Sequence, residues 1–333
     1  MKRLLPAFVA LLILVSCSPR QGQMSTPTES PVLSPTPSPS ATVAPVTPNE
    51  ATPTPVPTDA EFTNLIPLDL NSFSTYKGLS LVMQDNGAPK VTPVDGVIGV
   101  VCIGMSNAFL ECGDFIHKWE EGTFGRKINL QVRFVNCAVG GRAIEYWNNP
   151  EIDEHLWDAC IQRKIPEAGL RPDQIRVIWH KAADMFPFDQ SGVLLPLYPD
   201  PRSDYFRFYE NLSTFAARVK GKFPSVQAVY VSSRSYGGYS TVPERGEPLS
   251  YEEGLALNQW LKDHPSVDGI WYGWGPYLWA PDCSTGVTNA SGVCYVRADY
   301  QADGVHPAQG ASDKISSMMH AWFRKYDWYR AQK

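Results

Sequence analysis

The most informative segment of this chain reads Val97-Ile98-Gly99-Val100-Val101-Cys102-Ile103-Gly104-Met105-Ser106-Asn107. Its first part is a short apolar run rich in β-branched residues, which predicts a buried strand. Small and polar residues then interrupt the run, and a helical pattern follows over 107–120. A buried strand that leads directly into a helix is typical of parallel α/β proteins.

Apolar runs and longer helical patterns continue to alternate along the chain. Predicted strands cover 97–103, 131–136, 174–180, 226–232 and 267–272. Predicted helices cover 107–120, 151–163, 203–222, 251–263 and 308–326. This order predicts a three-layer α/β/α, flavodoxin-like domain with about five parallel strands.

Residues able to do chemistry follow four of these strands. Ser106 follows the first strand, Gly140 and Gly141 the second, Lys181 the third and Arg234 the fourth. Because functional residues of such sheets gather at the carboxyl ends of the strands, these residues are expected at one edge. Arg234, and Asn107 next to the serine, are candidate substrate-binding residues.

A short motif near the carboxyl end supplies the partners that a nucleophilic serine needs. It reads Asp303-Gly304-Val305-His306, and its three-residue spacing lets one turn present both ionisable groups. A histidine can remove the proton of the Ser106 hydroxyl, and a carboxylate can orient the histidine and stabilise its positive charge. Ser106, His306 and Asp303 are therefore the candidate catalytic residues.

Ester hydrolysis through a serine also needs hydrogen-bond donors for the oxyanion of the tetrahedral intermediate. The backbone amide of Ser106, at a helix start, and that of Gly140 or Gly141 are the candidates. Ordinary structural roles stand beside these: Ser106 or Asn107 as a helix cap, and Asp303-Gly304 as a turn. The occurrence of both motifs at the ends of the expected elements favours the catalytic interpretation.

These segments resemble blocks of the SGNH (GDSL-type) hydrolases, above all the sialate O-acetylesterase-like and acetyl xylan esterase-like carbohydrate esterases. Gly104-Met105-Ser106-Asn107 is similar to their Gly-Gln-Ser-Asn, and Ala138-Val139-Gly140-Gly141, with Trp147 downstream, to their Ala-x-Gly-Gly turn. Asp303 to His306 matches their Asp-Gly-x-His. The resemblance spans roughly 97–325. It implies a serine esterase that removes small acyl groups, above all acetyl, from a glycan without a metal or other cofactor.

The third segment departs from that family pattern. Where the family has an amide side chain that donates to the oxyanion, this chain has Lys181, in Trp179-His180-Lys181-Ala182-Ala183-Asp184. Three roles are open for Lys181: donation to the oxyanion, binding of an anionic substrate, or pairing with Asp184. The geometry of the folded protein decides among them.

Aromatic residues are dense in the segment before the catalytic turn. Trp274, Tyr277 and Trp279 alternate with Gly273, Gly275 and Pro276, which break any regular helix or strand. Several of these rings are expected to face a cleft. Exposed rings stack on the apolar faces of sugars, so Trp274, Tyr277 and Trp279 are candidate substrate-binding residues.

The amino-terminal part of the chain differs in composition from the rest. Residues 1–17 have the layout of a lipoprotein signal peptide: a basic start, a short apolar run and a lipobox ending in Cys17, the candidate lipidation site. An ordinary signal peptide is the alternative. Residues 18–60 contain 11 of the 29 prolines, which predicts a disordered stalk rather than a ligand for another domain. Residues 61–333 are predicted to form the SGNH-hydrolase-like catalytic domain.

The signal layout predicts an extracytoplasmic protein held at the bacterial membrane by its lipid. Disulfides are permitted there, and Cys283 and Cys294 bracket a polar loop that one would staple. Cys102 and Cys137, at strand ends, are either buried thiols or a second pair. The states of Cys112 and Cys160 stay open.

The expected partners are an acylated glycan and the membrane, not nucleic acid. The net charge is −5, and the sequence has no basic run and no glycine-rich phosphate loop. Two alternative functions remain: a non-catalytic binder of glycans or cell wall on the same scaffold, and an esterase or lipase for other acyl esters. Retention of a serine, a histidine and an aspartate argues against the binder, which needs none of the three.

Overall fold

The protein is described by a computed structural model that covers 68–69, 80–81, 83, 87–125, 128–181, 183–185 and 187–331. The predicted signal peptide with Cys17 and the predicted stalk lie outside these residues. Within the described ranges, no helix is long and apolar enough to cross a membrane. A short antiparallel pair, β1 (Leu68–Asp69) and β2 (Ser80–Leu81), comes first along the chain.

A six-stranded sheet forms the centre of the domain. Its strands are β3 (Ile98–Gly104), β4 (Val132–Asn136), β5 (Ile175–Lys181), β6 (Ala228–Ser232), β7 (Ser266–Val267) and β8 (Ile270–Trp274). They lie in the order β4-β3-β5-β6-β8-β7. The first five in this order are parallel, and β7 is an antiparallel edge strand on β8. The parallel part has the flavodoxin-like order.

Helices cover both faces of this sheet. They are α1 (Ser106–Glu120), α2 (Ile144–Asn148), α3 (Pro150–Asp158), α4 (Ile165–Glu167), α5 (Asp204–Lys222), α6 (Leu249–Asp263) and α7 (Gln309–Phe323). Helix α1 packs against α7, whereas α5 packs against α2 and α6. The predicted three-layer α/β/α fold is therefore confirmed.

Two predicted elements differ from the structure in more than the placement of a boundary. The helix expected over 151–163 ends at Asp158 and continues as a π-helical turn, Ala159–Lys164. The strand expected over 267–272 begins at Ile270, because Asp268 and Gly269 take positive φ angles of 50° and 77° and form a tight hairpin. That hairpin creates β7, which periodicity alone does not predict.

Strand β3 is an interior strand of the parallel sheet. All seven of its residues are buried, and it pairs with β4 on one side and β5 on the other. A strand buried on both faces needs apolar residues throughout, which explains the continuous apolar run rather than an alternating one. The strand ends at the carboxyl edge of the sheet, directly before Ser106.

A buried glutamate links the long segment after β5 to helix α6. Glu252 is 1% exposed, and its Oε1 accepts a hydrogen bond from the Tyr198 backbone N–H. Burial raises the pKa of this carboxyl to about 7, although the Tyr198 N–H opposes the shift. Glu252 therefore holds its proton more tightly in the folded chain than in the unfolded chain.

Glu252→Gln is expected to weaken the pH dependence of the free energy of unfolding. The glutamate stabilises the fold below its unfolded pKa of 4.5, and this contribution is lost as the pH rises through about 7. A shift of this size corresponds to about 3 kcal/mol. Urea unfolding at pH 5 and pH 8 measures the effect. The exposed Glu120→Gln serves as control, and equal pH dependence in wild type and Glu252→Gln would contradict the assignment.

Candidate active site

The nucleophile turn is the sharp connection between β3 and α1. A Cβ atom on Gly104 would lie 2.7 Å from Ala108 Cβ and 2.7 Å from the Lys181 carbonyl oxygen, so only glycine fits there. The chain can therefore pass from strand to helix through Met105 alone. Ser106 is the first residue of α1, where backbone N–H groups have no partner within the helix. Its half-buried side chain stands at the carboxyl edge of the sheet.

The Asp303–His306 turn is stabilised by its own aspartate. Asp303 Oδ1 accepts hydrogen bonds from the backbone N–H groups of Val305 and His306, each at 3.0 Å. Gly304 has a φ angle of 67°, and a Cβ atom there would lie 1.7 Å from the Tyr239 carbonyl oxygen. The glycine of this motif is thus required by both its backbone conformation and a close approach.

Neighbouring segments hold this turn in place. The Thr241 N–H donates to the Asp303 carbonyl oxygen at 2.9 Å, and the Gln301 N–H donates to the His306 carbonyl oxygen at 2.9 Å. The Arg297 guanidinium donates to the Gln301 carbonyl at 2.8 Å. The contributions of Thr241 and Arg297 were not predicted, because neither lies in a recognisable motif.

The three candidate catalytic residues form one hydrogen-bonded chain. His306 Nε2 lies 2.8 Å from Ser106 Oγ, and His306 Nδ1 is hydrogen-bonded to Asp303 Oδ2. An ionised carboxylate only accepts, so Nδ1 carries the proton and the neutral ring presents Nε2 as an acceptor to the serine hydroxyl. This is the geometry in which a histidine acts as general base toward a serine.

Asp303 is ionised over the whole pH range in which a histidine works as a base. Partial burial acts to raise its pKa, but hydrogen bonds from the His306 ring and from the backbone N–H groups of Val305 and His306 lower it to about 2. The side chain remains 41% exposed, so solvent screens much of this interaction. The result is a charged carboxylate fixed on the ring nitrogen opposite the serine.

Asn107 links the helix of the nucleophile to the catalytic turn. Its Nδ2 donates to the Val305 carbonyl oxygen at 2.9 Å. This nitrogen therefore has a partner inside the protein, and it does not perform the substrate-binding role predicted for Asn107. The bond instead connects α1, which carries Ser106, to the turn that carries His306.

The glycine turn after β4 lies beside the nucleophile turn. The Val139 N–H donates to the Gly104 carbonyl oxygen at 3.0 Å, which sets the two turns side by side. Gly140 is exposed, and Gly141 has a φ angle of 69°. In the described part of the chain, neither glycine N–H has a hydrogen-bond partner, and the same holds for the Ser106 N–H. These are the amides available to an oxyanion.

Lys181 does not serve as the predicted oxyanion donor. It is 2% exposed, and its ammonium forms a buried ion pair with the fully buried Glu111 of α1. Alternation along β5 directs the side chain toward α1, since Lys181 is in register with Gly104 at the end of β3. Burial lowers the pKa of Lys181 and raises that of Glu111, and each partner opposes the shift of the other. The alternative prediction, that Lys181 pairs with Asp184, was also wrong.

Asp184, in the segment that follows β5, belongs to a second buried network of charged residues, whose other members include residues of α5 and α6. Its carboxylate accepts from Arg207 Nε at 2.8 Å and from Asn211 Nδ2 at 2.8 Å, and its backbone N–H donates to Glu253 at 2.9 Å. Arg234 is 9% exposed and donates to Glu253 at 3.3 Å. Arg234 is thus part of the scaffold, and its predicted role as a substrate-binding residue was wrong.

The three aromatic residues expected in a cleft are buried. Trp274, Tyr277 and Trp279 are exposed by only 3%, 4% and 2%. The loop that follows covers their segment. The Asn289 side-chain amide donates to the Tyr277 carbonyl oxygen at 3.1 Å, and the Tyr295 hydroxyl donates to the Leu278 carbonyl oxygen. The prediction that these rings bind substrate was therefore wrong, because the glycines and proline bend the segment inward under this loop.

All six cysteines of the domain are paired. The structure contains the expected Cys283–Cys294 disulfide, together with Cys102–Cys112 and Cys137–Cys160. Cys102 and Cys137 are thus neither free thiols nor bonded to each other. Among the described residues, no cluster of three or more His, Cys, Asp or Glu is arranged to hold a metal ion.

The sequence matches no protein-family model, and no curated protein is significantly similar to it. Among solved structures, the chain is similar to a GDSL-like lipase from Bacteroides thetaiotaomicron, at 13% identity, 70% coverage of this chain, 89% of that chain and a TM-score of 0.37. It is also similar to an acetyl xylan esterase variant from Geobacillus stearothermophilus, at 12% identity, 72% coverage of this chain, 100% of that chain and a TM-score of 0.38. Scores of this size say nothing about what the chain acts on.

Gly304→Ala is expected to lower the reactivity of the Ser106 hydroxyl by about 10²-fold while the domain remains folded. A left-handed alanine costs about 1–2 kcal/mol, and the collision with Tyr239 forces the turn to shift, which displaces His306 from Ser106. The rate of labelling by a fluorophosphonate, which reacts with a serine activated by a histidine, measures the loss. Gly286→Ala is the matched control, because Gly286 also has a positive φ angle, 70°, but open space around it. Equal activity in the two variants would contradict this account.

Glu111→Gln is expected to destabilise the domain by about 3–5 kcal/mol, because it leaves the Lys181 ammonium buried without a charged partner. Replacing both partners together, Glu111→Leu with Lys181→Met, is expected to cost much less. The free energy of unfolding in urea separates the two cases. A double variant as unstable as the single one would show that the ion pair is not the source of the effect.

Proposed function

We propose that this protein is a serine esterase that hydrolyses carboxylic esters through an acyl-enzyme. The observation that carries the proposal is the continuous hydrogen-bonded chain from Asp303 through His306 to Ser106, with His306 Nε2 at 2.8 Å from Ser106 Oγ. A pure binding protein has no physical need for this arrangement. Ser106 and the Asp303–His306 turn stand on segments 200 residues apart in sequence, so their meeting is a property of the fold rather than of local sequence.

In the proposed reaction, Ser106 Oγ attacks the ester carbonyl carbon while His306 Nε2 accepts the hydroxyl proton. Asp303 stabilises the resulting imidazolium by its charge and its hydrogen bond to Nδ1. The N–H groups of Ser106 and of Gly140 or Gly141 stabilise the oxyanion. Collapse of the intermediate releases the alcohol, which takes the proton from His306. A water molecule, activated by the same histidine, then cleaves the acyl-enzyme.

We further propose a small acyl group, acetyl, carried on a carbohydrate. The support is the resemblance of the Ser106, glycine-turn and Asp-Gly-x-His segments to those of carbohydrate O-acetylesterases. The aromatic residues Trp274, Tyr277 and Trp279 no longer contribute to this proposal, because they are buried. The substrate alcohol is therefore expected to contact residues other than this cluster.

Ser106→Ala is expected to lower kcat for p-nitrophenyl acetate by about 10³-fold or more and to abolish labelling by a fluorophosphonate. Ser284→Ala, an exposed serine on the Cys283–Cys294 loop, is the matched control and should behave as wild type. A wild-type chain that hydrolyses no ester and is not labelled would contradict the esterase proposal and favour the binding protein.

The length of the acyl chain and the nature of the alcohol are tested separately with the wild-type protein. A series of p-nitrophenyl esters from acetate through butyrate to palmitate should show a steep fall in kcat/KM with length. Release of acetate from O-acetylated xylan and from an O-acetylated sialic acid tests the glycan. A rate that rises with chain length would contradict the acetyl proposal and leave the esterase mechanism intact.

A further inference from the structure

Two of the three disulfides lie at the base of the turns that form the candidate active site. Cys102 is on β3, just before the nucleophile turn, and Cys137 follows β4, just before the glycine turn. Both disulfides are buried, with their four cysteines no more than 1% exposed. The third bridge, Cys283–Cys294, closes a partly exposed loop instead. This difference in placement separates two internal bridges from one surface bridge.

The Cys102–Cys112 bridge closes a ring that contains the whole nucleophile turn. Cys102 lies on β3 and Cys112 lies on α1, ten residues later, with Ser106 between them. Strand and helix are thus joined covalently on either side of Ser106. The angle between them, which sets the direction of the Ser106 side chain, has little freedom to change.

The Cys137–Cys160 bridge fixes the start of the glycine turn to the π-helical turn 159–164. From the same turn, Lys164 Nζ donates to the carbonyl oxygens of Asn136 at 2.9 Å and Ala138 at 3.3 Å. The backbone just before Gly140 is therefore held by one covalent bond and two hydrogen bonds.

The two bridges act from opposite faces of the sheet. Cys102 is in register with Asn136, so both side chains point toward α1, where the Asn136 amide donates to the Phe109 carbonyl oxygen. Cys137 is the next residue along and points to the other face. Its backbone N–H donates to the Cys102 carbonyl oxygen at 3.0 Å, so a backbone hydrogen bond joins one cysteine of each disulfide.

We propose that Cys102–Cys112 and Cys137–Cys160 are positioning pairs for the esterase reaction: together they hold the Ser106 hydroxyl and the glycine-turn amides in the relative placement that the tetrahedral intermediate requires. This inference rests on the proposed function. Nucleophile and oxyanion donors must match one transition state, and a misplacement of about 1 Å can cost about 10²-fold in rate. The bridges stabilise that match in addition to stabilising the fold.

The test compares three paired variants of the full chain. Cys102→Ala with Cys112→Ala, and Cys137→Ala with Cys160→Ala, are each expected to lower kcat for p-nitrophenyl acetate by about 10- to 100-fold with KM little changed. The rate constant for fluorophosphonate labelling should fall by a similar factor. Cys283→Ala with Cys294→Ala, which removes the surface bridge, should retain the wild-type values.

Loss of stability is separated from loss of positioning in two ways. Rates are measured at least 20 °C below the lowest midpoint of thermal unfolding, and the final extent of labelling gives the fraction of active molecules. Val226→Ala, a buried position at the amino ends of the strands, supplies a destabilised variant with an intact site. If an alanine pair does not fold, Cys102→Val with Cys112→Ala restores part of the lost volume, and the Cys137–Cys160 pair provides the second test.

Each outcome decides one question. If the wild-type chain is labelled and Ser106→Ala is not, the proposed function stands. The variants that lack Cys102–Cys112 or Cys137–Cys160 are then compared with Val226→Ala and with the variant that lacks Cys283–Cys294. If the rate constant for labelling falls no further in the first two variants than in the other two, the positioning proposal is overturned. It is also overturned if only the active fraction falls while the rate constant is unchanged. A wild-type chain that is not labelled at all overturns the function first, and the inference with it.

Discussion

The pairing of β3 with strands on both sides is the constraint on which the rest of this structure depends. Every residue of β3 is buried, and its hydrogen bonds to β4 and β5 leave no freedom of register. Register then places Gly104 level with Lys181 at the carboxyl edge, and Cys102, two residues earlier, level with Asn136. Everything that the proposed chemistry needs is built within a few residues of that level, so a shift of β3 by one residue would turn the serine away from its base.

Each segment at this edge is tied to its neighbour, and the ties differ in kind. A backbone hydrogen bond joins the glycine turn to Gly104, and the Asn107 amide joins α1 to the catalytic turn. The buried Lys181–Glu111 pair joins β5 to α1. Buried ion pairs contribute little net stability, because the desolvation of both charges offsets their attraction, but they tolerate little displacement.

The parts of this arrangement that sequence predicts are those encoded locally. The strands are recognisable because a strand buried on both faces is apolar throughout, and Asp303 and His306 are recognisable because one turn holds both. The roles of Lys181 and Arg234 were predicted wrongly because their partners, Glu111 and Glu253, lie on other elements and no local pattern indicates the pairing. The prediction that Trp274, Tyr277 and Trp279 face a cleft was wrong for a related reason. Glycine and proline indicate that the chain bends there, but they do not indicate toward which side.

In the proposed reaction, the buried charges after β5 determine which groups can stabilise the oxyanion. Lys181 and Asp184 are both committed to partners inside the protein, so among the described residues the donors that remain are backbone N–H groups of the nucleophile and glycine turns. A backbone donor cannot change rotamer to follow a shifted intermediate, as a side chain can. Its contribution depends on where the chain itself is held. The proposed site relies on backbone donors and therefore requires turns that do not shift, and an ion pair, hydrogen bonds and two buried disulfides tie the turns around Ser106 and Gly140 to their neighbours.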